Sequence, residues 1–378
     1  MSRRTLLTFL LGLCAIPVMA QDLGNLQIHG FATQGFLFSS ANNYLTMPSS
    51  RGSLLWTDGG ISVIDSLSDN LRVGMQIHMY QMGEIGGPNI AVDWASGDYH
   101  LNDQLGFRAG KIKIPMGFYN DSQDVDSLFL WTLLPQSTYP TDNRDYDLSL
   151  LGGEVYGERS LGTRRGSVQY RGYVGESTLD AHGGYVLQLA GYGATFPNPP
   201  AGKDFGGDIR WLTPWRGLMV GASAQSQALD GTGPQGSVHM PPSFMYAYYA
   251  EWRKGKADFV GEYWRTPLYP VLTLGADAFS AGFDQRAWYG MASYRVTPNL
   301  QLGAYYSHYF NKAGDTSLPE NYSKDWVVSG RYDFNQNFYG KVEGHFLHGT
   351  GLGYYASTNP NGLQPNANML AARVGFTF

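Results

Sequence analysis

Six aspartates crowd one segment of the chain, residues 115–147, where they are accompanied by a single basic residue. The aspartates are Asp121, Asp124, Asp126, Asp142, Asp145 and Asp147, and the basic residue is Arg144. Carboxylates at this density can select ions or solutes if the segment faces a lumen, and can bind divalent cations if it faces bulk solvent. Aromatic side chains interleave with these acids.

Hydrolytic chemistry has weaker support in the sequence. The chain has 8 histidines, but no Ser, His and acid residues cluster as an activated nucleophile requires. Glu262 and Asp258 share one strand face and could form a carboxylate pair, although this pattern is more typical of a polar lining. Nothing in the sequence calls for a cofactor or a metal ion.

The first residues predict export. Residues 1–20 have the pattern of a secretory signal peptide, in which Arg3 and Arg4 precede an apolar run that ends at Ala20. A twin-arginine signal and a lipoprotein site at Cys14 are the alternatives. Cys14 is the only cysteine, so the mature domain, residues 21–378, is expected to have no disulfide. The formal net charge of −5 argues against nucleic acid as a partner.

Strict alternation of apolar and polar residues recurs along the chain. In 338–346 and 326–334 every charged residue has the opposite parity to Phe338, Val342 and Trp326, which means that it lies an odd number of positions away and points to the other face of the strand. The last residues, 370–378, alternate in the same way and end in Phe378, which is typical of the final strand of an outer-membrane β-barrel. Lipid cannot hydrogen-bond a backbone, so such strands must close into a barrel with one apolar face outward. The fold class is therefore all-β, a transmembrane antiparallel β-barrel.

Tight turns and longer polar loops alternate as the connections between successive strands. Counting them predicts about sixteen strands, with an uncertainty of about two, and sixteen strands enclose an aqueous lumen. Loops are expected near 40–52, 176–202, 228–242, 266–284, 311–323 and 349–366. We therefore predict one barrel domain in the outer membrane of a Gram-negative type of bacterium, reached through the periplasm.

Charged residues on the inward parity are candidates for the wall of that lumen. They are Arg72, Arg171, Arg210, Arg295, Arg331, Lys341, Glu343 and Arg373, together with Lys111 and Lys113, whose strand breaks the alternation. A basic wall that faces the acidic segment would create a transverse field across the opening.

Three short segments resemble the phosphate-selective porin O/P family and related trimeric porins. They are RAGKIKIPMG at 108–117, LQIHGF at 26–31 and the Thr213-Pro to Leu218 turn. The resemblance implies a homotrimeric, sixteen-stranded channel in outer-membrane lipid for small hydrophilic or charged solutes or ions. It also implies that residues 115–147 fold inward as a constriction loop, whereas a solvated external loop is the alternative. An acidic loop does not fit phosphate selectivity. An outer-membrane hydrolase and an adhesive or structural barrel remain the alternative functions.

Overall fold

The structure is a computed structural model that describes residues 25–87 and 89–378, so the predicted signal peptide lies outside the described residues. Its strands are β1 (Leu26–Ser39), β2 (Ser53–Ser66), β3 (Leu71–Met82), β4 (Ile90–Asn102), β5 (Leu105–Lys113), β6 (Ser149–Ser160), β7 (Ser167–Thr178), β8 (Ala201–Leu212), β9 (Leu218–Gly233), β10 (Gly236–Lys254), β11 (Ala257–Leu268), β12 (Val271–Leu274), β13 (Asp277–Ser280), β14 (Phe283–Arg295), β15 (Leu300–Asn311), β16 (Tyr322–Asp333), β17 (Phe338–His348) and β18 (Asn366–Thr377). Two α-helices are present in this part of the chain, α1 (Arg144–Leu148) and α2 (Gly184–Gly191).

The strands form one closed antiparallel barrel. Consecutive strands pair with each other, and the first strand pairs with the last in a register that aligns Phe31 with Thr377 and Ser39 with Met369. The exception is the short hairpin of β12 and β13, in which β12 pairs with the first residues of β10, while β11 pairs directly with β14. The barrel therefore has sixteen strands, as the turn count predicts, and the pairing of β1 with β18 closes it.

The predicted parity is confirmed by the exposure of the side chains. Along β17, Phe338, Val342 and Phe346 are exposed on the outside, while Lys341 and Glu343 are buried inside. β18 likewise turns Leu370 and Val374 outward and Arg373 inward. The outside of the barrel is therefore apolar and the inside is polar, which is the arrangement that a bilayer requires.

The two ends of the barrel differ in their connections. Short turns join β2 to β3, β6 to β7, β8 to β9, β10 to β11, β14 to β15 and β16 to β17 at what we call the short-turn end, where the sequence predicts them. The opposite, long-loop end differs from expectation in two places, one of them the loop expected near 266–284, which contains the β12–β13 hairpin. The loop expected near 228–242 is instead a long hairpin of β9 and β10 with its turn at 234–235, because alternation continues through Leu229, Val238 and Met240.

The largest buried clusters lie inside the barrel rather than between layers of sheet. Phe129, Trp131 and Tyr139, from the segment between β5 and β6, pack against wall residues that include Tyr289 and Tyr305. Neither α-helix of the described residues is long and apolar enough to cross a membrane. This cluster is thus made by one chain segment packed against the wall, which places that segment in the lumen.

Candidate functional site: a loop braced across the lumen

The segment 114–148, here called the inner loop, turns into the lumen at Gly117. Gly117 has φ of +76°, and a Cβ there would lie 2.5 Å from Oε1 of Glu262, so a side chain would be strained and crowded. Its N–H donates to Ser223 Oγ at 2.9 Å, and the Phe118 N–H donates to Glu262 Oε1 at 3.0 Å. The loop is therefore captured by the far wall, on β9 and β11, within a few residues of leaving β5.

The first two aspartates of the inner loop bind different cations of the wall. Asp121 accepts from Arg171 at 2.6 Å and lies 3.3 Å from Arg210. Asp124 accepts from the Lys113 ammonium at 2.7 Å. Burial disfavours the charged form of Asp121, but Arg171 and Arg210 outweigh it and lower the pKa of that carboxyl below its ordinary value.

Asp126 occupies the most enclosed of these contacts. It accepts from Arg373 at 2.6 Å and from the Tyr339 hydroxyl at 2.7 Å, and lies 3.0 Å from the Lys341 ammonium. Burial opposes its ionisation, but Lys341 and Arg373 lower the pKa of Asp126 to about 2. Because all of these partners are buried, the charges compensate one another with little contact with water.

Glu343 holds the middle of the inner loop through its backbone. Its two carboxylate oxygens accept from the N–H groups of Thr132 and Leu133, each at 3.0 Å. His345 lies beside it and contacts Glu343 at 3.0 Å and Asp325 at 2.7 Å. Since both ring nitrogens of His345 are engaged by carboxylates, neither is available to activate a nucleophile.

The second half of the inner loop is fixed by Arg144. Its guanidinium donates to Asp93 at 2.6 Å and contacts His78 Nδ1 at 3.1 Å, on the opposite side of the barrel from Glu262. Asp142 differs from the other acids because it accepts only neutral donors, among them the Tyr355 hydroxyl at 2.6 Å. Burial raises the pKa of Asp142 above its ordinary value. The side chain of Asp145 lies outside the described residues.

The remaining wall candidates differ in their positions. Arg331 donates to the Phe129 carbonyl at 2.8 Å and so supports the inner loop. Arg295 donates to the Pro298 carbonyl at 3.0 Å at the short-turn end, away from the loop. Lys111 is wrongly predicted as a wall residue, because it pairs in register with Leu151, whose side chain is 67% exposed on the outside. Phe107 is exposed on the same side of β5 and Ile112 is buried inside, so the alternation continues unbroken through Lys111.

The transverse field expected between a basic wall and an acidic loop is not what the structure shows. Loop acids and wall cations touch, and the wall cations also alternate with wall acids. Arg72 lies 3.3 Å from Asp98, Arg171 donates to Glu154 at 2.9 Å, and Arg210 donates to Asp208 at 2.9 Å. These arrangements follow from the cost of burying a charge without a partner. The charges of the loop therefore act as anchors.

Two residues that hold the loop, Glu262 and Asp93, are not among the predicted wall candidates, although the sequence indicates that Glu262 belongs to a polar lining. Glu262 accepts from Phe118, Tyr139, Trp264 and Tyr289, whereas its supposed pair Asp258 contacts Arg253 at 3.5 Å. Asp93 sits at a register shift in β4, where the pairing with β3 skips a residue. The alternation along β11 identifies Glu262 as a lumen residue. At Asp93 a bulge disturbs the alternation, so the sequence does not show which way that side chain points.

Above the inner loop, toward the long-loop end, lies a cavity of about 710 Å³ that we call the vestibule. The inner loop contributes Tyr139, Tyr146 and Asp147, helix α2 contributes Tyr185, and the wall contributes mostly aromatic and aliphatic side chains. A smaller space of about 50 Å³ lies on the other side of the loop, against β2, β3 and β18. Gln123 and Tyr139 border both spaces, so they mark the narrow region between them.

The fold is shared with outer-membrane porins. OmpF of Salmonella typhi, in complex with daunomycin, matches with a TM-score of 0.61 at 13% identity, covering 95% of this chain and 99% of that one. An anion-selective porin of Comamonas acidovorans matches with a TM-score of 0.60 at 12% identity, over 93% and 99% of the two chains. The trimer form of OmpT, an outer-membrane protein of Vibrio cholerae, matches with a TM-score of 0.56 at 12% identity, over 93% and 99%. No family model and no curated protein sequence matches the chain.

Proposed function

We propose that this chain is an outer-membrane porin, exported through the periplasm, that lets small hydrophilic or charged solutes diffuse passively through its lumen. The observation that carries the proposal is the inner loop, which lies inside a closed barrel with a polar interior and is bound to the wall from β3 to β18. A barrel of sixteen strands is wide enough to hold water as well as such a loop. The shared porin fold supports the same function.

In this proposal the inner loop is the constriction, and its paired charges fix its position. Asp121, Asp124 and Asp126 hold the loop against the wall, so that its backbone keeps a fixed position in the lumen. Solutes would pass at the narrow region bordered by Gln123 and Tyr139. Because Asp121, Asp124 and Asp126 are paired with cations, size and polarity at that region contribute more to selection than the charge of these three acids.

We also propose a homotrimer, supported by the outer face around Lys111. Its ammonium donates to the Val92 carbonyl at 2.5 Å beside exposed Ile90 and Leu151. A lysine facing lipid near the bilayer midplane costs roughly 2–4 kcal/mol in a barrel. A neighbouring subunit that covers this face would remove that cost. The match to the trimer form of OmpT is consistent with such an assembly.

The function is tested by adding the purified, detergent-folded protein to a planar lipid bilayer. A porin gives stepwise current increases with a linear current–voltage relation, and a reversal potential in a salt gradient then reports its ion preference. Insertion is checked separately by the heat-dependent shift of the folded barrel in gel electrophoresis. Folded, inserted protein that conducts no current would overturn the proposal and would favour an enzymatic or adhesive barrel, which assays of lipid and peptide hydrolysis then separate.

A further inference from the structure

The vestibule differs from the rest of the lumen in having no positive charge. Among the described residues that line it, none is Lys, Arg or His. The lining is instead apolar and aromatic, with Tyr146, Tyr185, Trp264 and Tyr309 among its rings. Tyr192, at the end of α2, is 72% exposed and belongs to the same lining. A purely hydrophilic solute would gain little from such a surface.

The vestibule also contains a carboxylate without a partner. Within the described part of the chain, no donor and no cation contacts the Asp147 carboxylate, whereas Asp121, Asp124 and Asp126 each bind one or more cations. The backbone of Asp147 is held by the Asn120 side-chain amide, which donates to its carbonyl at 2.8 Å. Burial, with added repulsion from Asp142 and Asp204, raises the pKa of Asp147 to about 7. A cation placed in the vestibule would relieve this penalty.

A second carboxylate beneath the lining is satisfied without any cation. Asp204 accepts from Gln225 at 2.6 Å, from Gln227 at 3.2 Å and from the Ser177 hydroxyl at 2.8 Å. Gln225 and Gln227 themselves line the vestibule. The potential in the vestibule is therefore negative on two sides, and the faces of the aromatic rings add to it, because each ring carries negative charge density on its face.

From this combination we infer that the vestibule is a binding site for organic cations that carry an aromatic or aliphatic body. The body would replace water against the aromatic and methionine side chains, and the cationic group would contact Asp147 and the tyrosine faces. The inference names a solute class for the proposed channel and rests on that function for transport, although binding itself does not require conduction.

The binding test compares three ligands of similar size on the folded protein in detergent by isothermal titration calorimetry at pH 8. Phenyltrimethylammonium is a permanent cation, benzenesulfonate is an anion, and 2-phenyl-2-propanol is neutral. We expect the cation to bind about tenfold more tightly than either of the others, a difference of about 1.4 kcal/mol. Equal binding of all three, or binding of none, would overturn the inference.

Two variants locate the site. Asp147→Asn keeps the shape of the side chain and removes its charge, so the affinity for the cation should fall about tenfold while that for the neutral ligand stays unchanged. Asp315→Asn makes the same change on an exposed loop and should alter nothing. Tyr192→Leu removes an exposed ring that does not support the fold, and should also weaken cation binding. Unchanged cation affinity in both Asp147→Asn and Tyr192→Leu would contradict the assignment.

Conductance separates this inference from the proposed function. If the protein conducts, phenyltrimethylammonium should reduce the ion current in a concentration-dependent manner and benzenesulfonate should not. Cation binding without any conductance would leave the site standing and refute the channel. Conductance without selective cation binding would support the channel and refute the binding site.

Discussion

Replacing Asp126 with Asn should release part of the inner loop. The side chains of Lys341 and Arg373 are only 0% and 6% exposed, and that of Asp126 is 5% exposed. The substitution therefore leaves buried Lys341 without a carboxylate and buried Arg373 with only Asp58, 3.9 Å away. Breaking a buried pair in this way costs about 3–5 kcal/mol, a large fraction of the roughly 5–15 kcal/mol that holds a typical domain folded.

The expected results are a lower unfolding temperature of the barrel and a reversal potential shifted toward anions, because Lys341 and Arg373 would then attract mobile anions. The first is measured by heat-dependent mobility in gel electrophoresis and the second in a planar bilayer under a salt gradient. Asp315→Asn is the matched control, since it makes the same charge change at an exposed position. Asp142→Asn is a second control inside the loop, because Asp142 binds no cation and is buried with a raised pKa. If Asp126→Asn behaves like these controls in both measurements, the anchoring role of Asp126 is wrong.

Three further predictions concern the loop. Gly117→Ala should lower the unfolding temperature, because the new Cβ would clash with Glu262 at a positive φ, whereas Gly162→Ala, also at positive φ but in open space, should have a smaller effect. Glu343→Ala should increase single-channel conductance or its noise, since two buried N–H groups lose their acceptor at about 1–3 kcal/mol each; an unchanged current trace would contradict the bracing. The free energy of unfolding should fall as the pH rises from about 4 through 7. The reason is that the pKa of Asp147 is about 7 in the folded chain and lower in the unfolded chain, so the folded chain holds this proton more tightly. Asp147→Asn should remove that part of the pH dependence. If the unmodified protein and Asp147→Asn lose stability identically as the pH rises, the assignment of this effect to Asp147 is wrong.

Most of the barrel could be predicted from the sequence because a membrane imposes a simple rule on each strand. The parity of β16, β17 and β18 follows from placing charges inward, and the short turns at 68–70 and 335–337 follow from polar residues between alternating segments. The long hairpin of β9 and β10 could not be predicted in the same way. Its upper half extends past the region where lipid enforces apolar residues, so polar residues there resemble a loop.

The site was less predictable, because it depends on which side chains meet across the lumen. Sequence places Asp126 in the loop and Arg373 in the last strand, but their 2.6 Å contact joins residues that are 247 positions apart. The charge pairing that replaces the expected transverse field is likewise a property of three-dimensional proximity. Lys111 could not be assigned from the sequence because Ile112 and Ile114 are apolar yet buried inside, so that charge no longer marks the inner face of this segment.

The central claim is that the inner loop lies in the conducting path, and a single cysteine tests it most directly. Gln123, which borders the spaces on both sides of the loop, is changed to cysteine and treated with a membrane-impermeant cationic thiosulfonate during single-channel recording. Ser317→Cys, in an exposed loop, is the control. The expected result is a stepwise drop in conductance after modification of Gln123→Cys and no change in the control. Conductance that is unaffected by modification at position 123, with labelling verified by mass spectrometry, would contradict the claim.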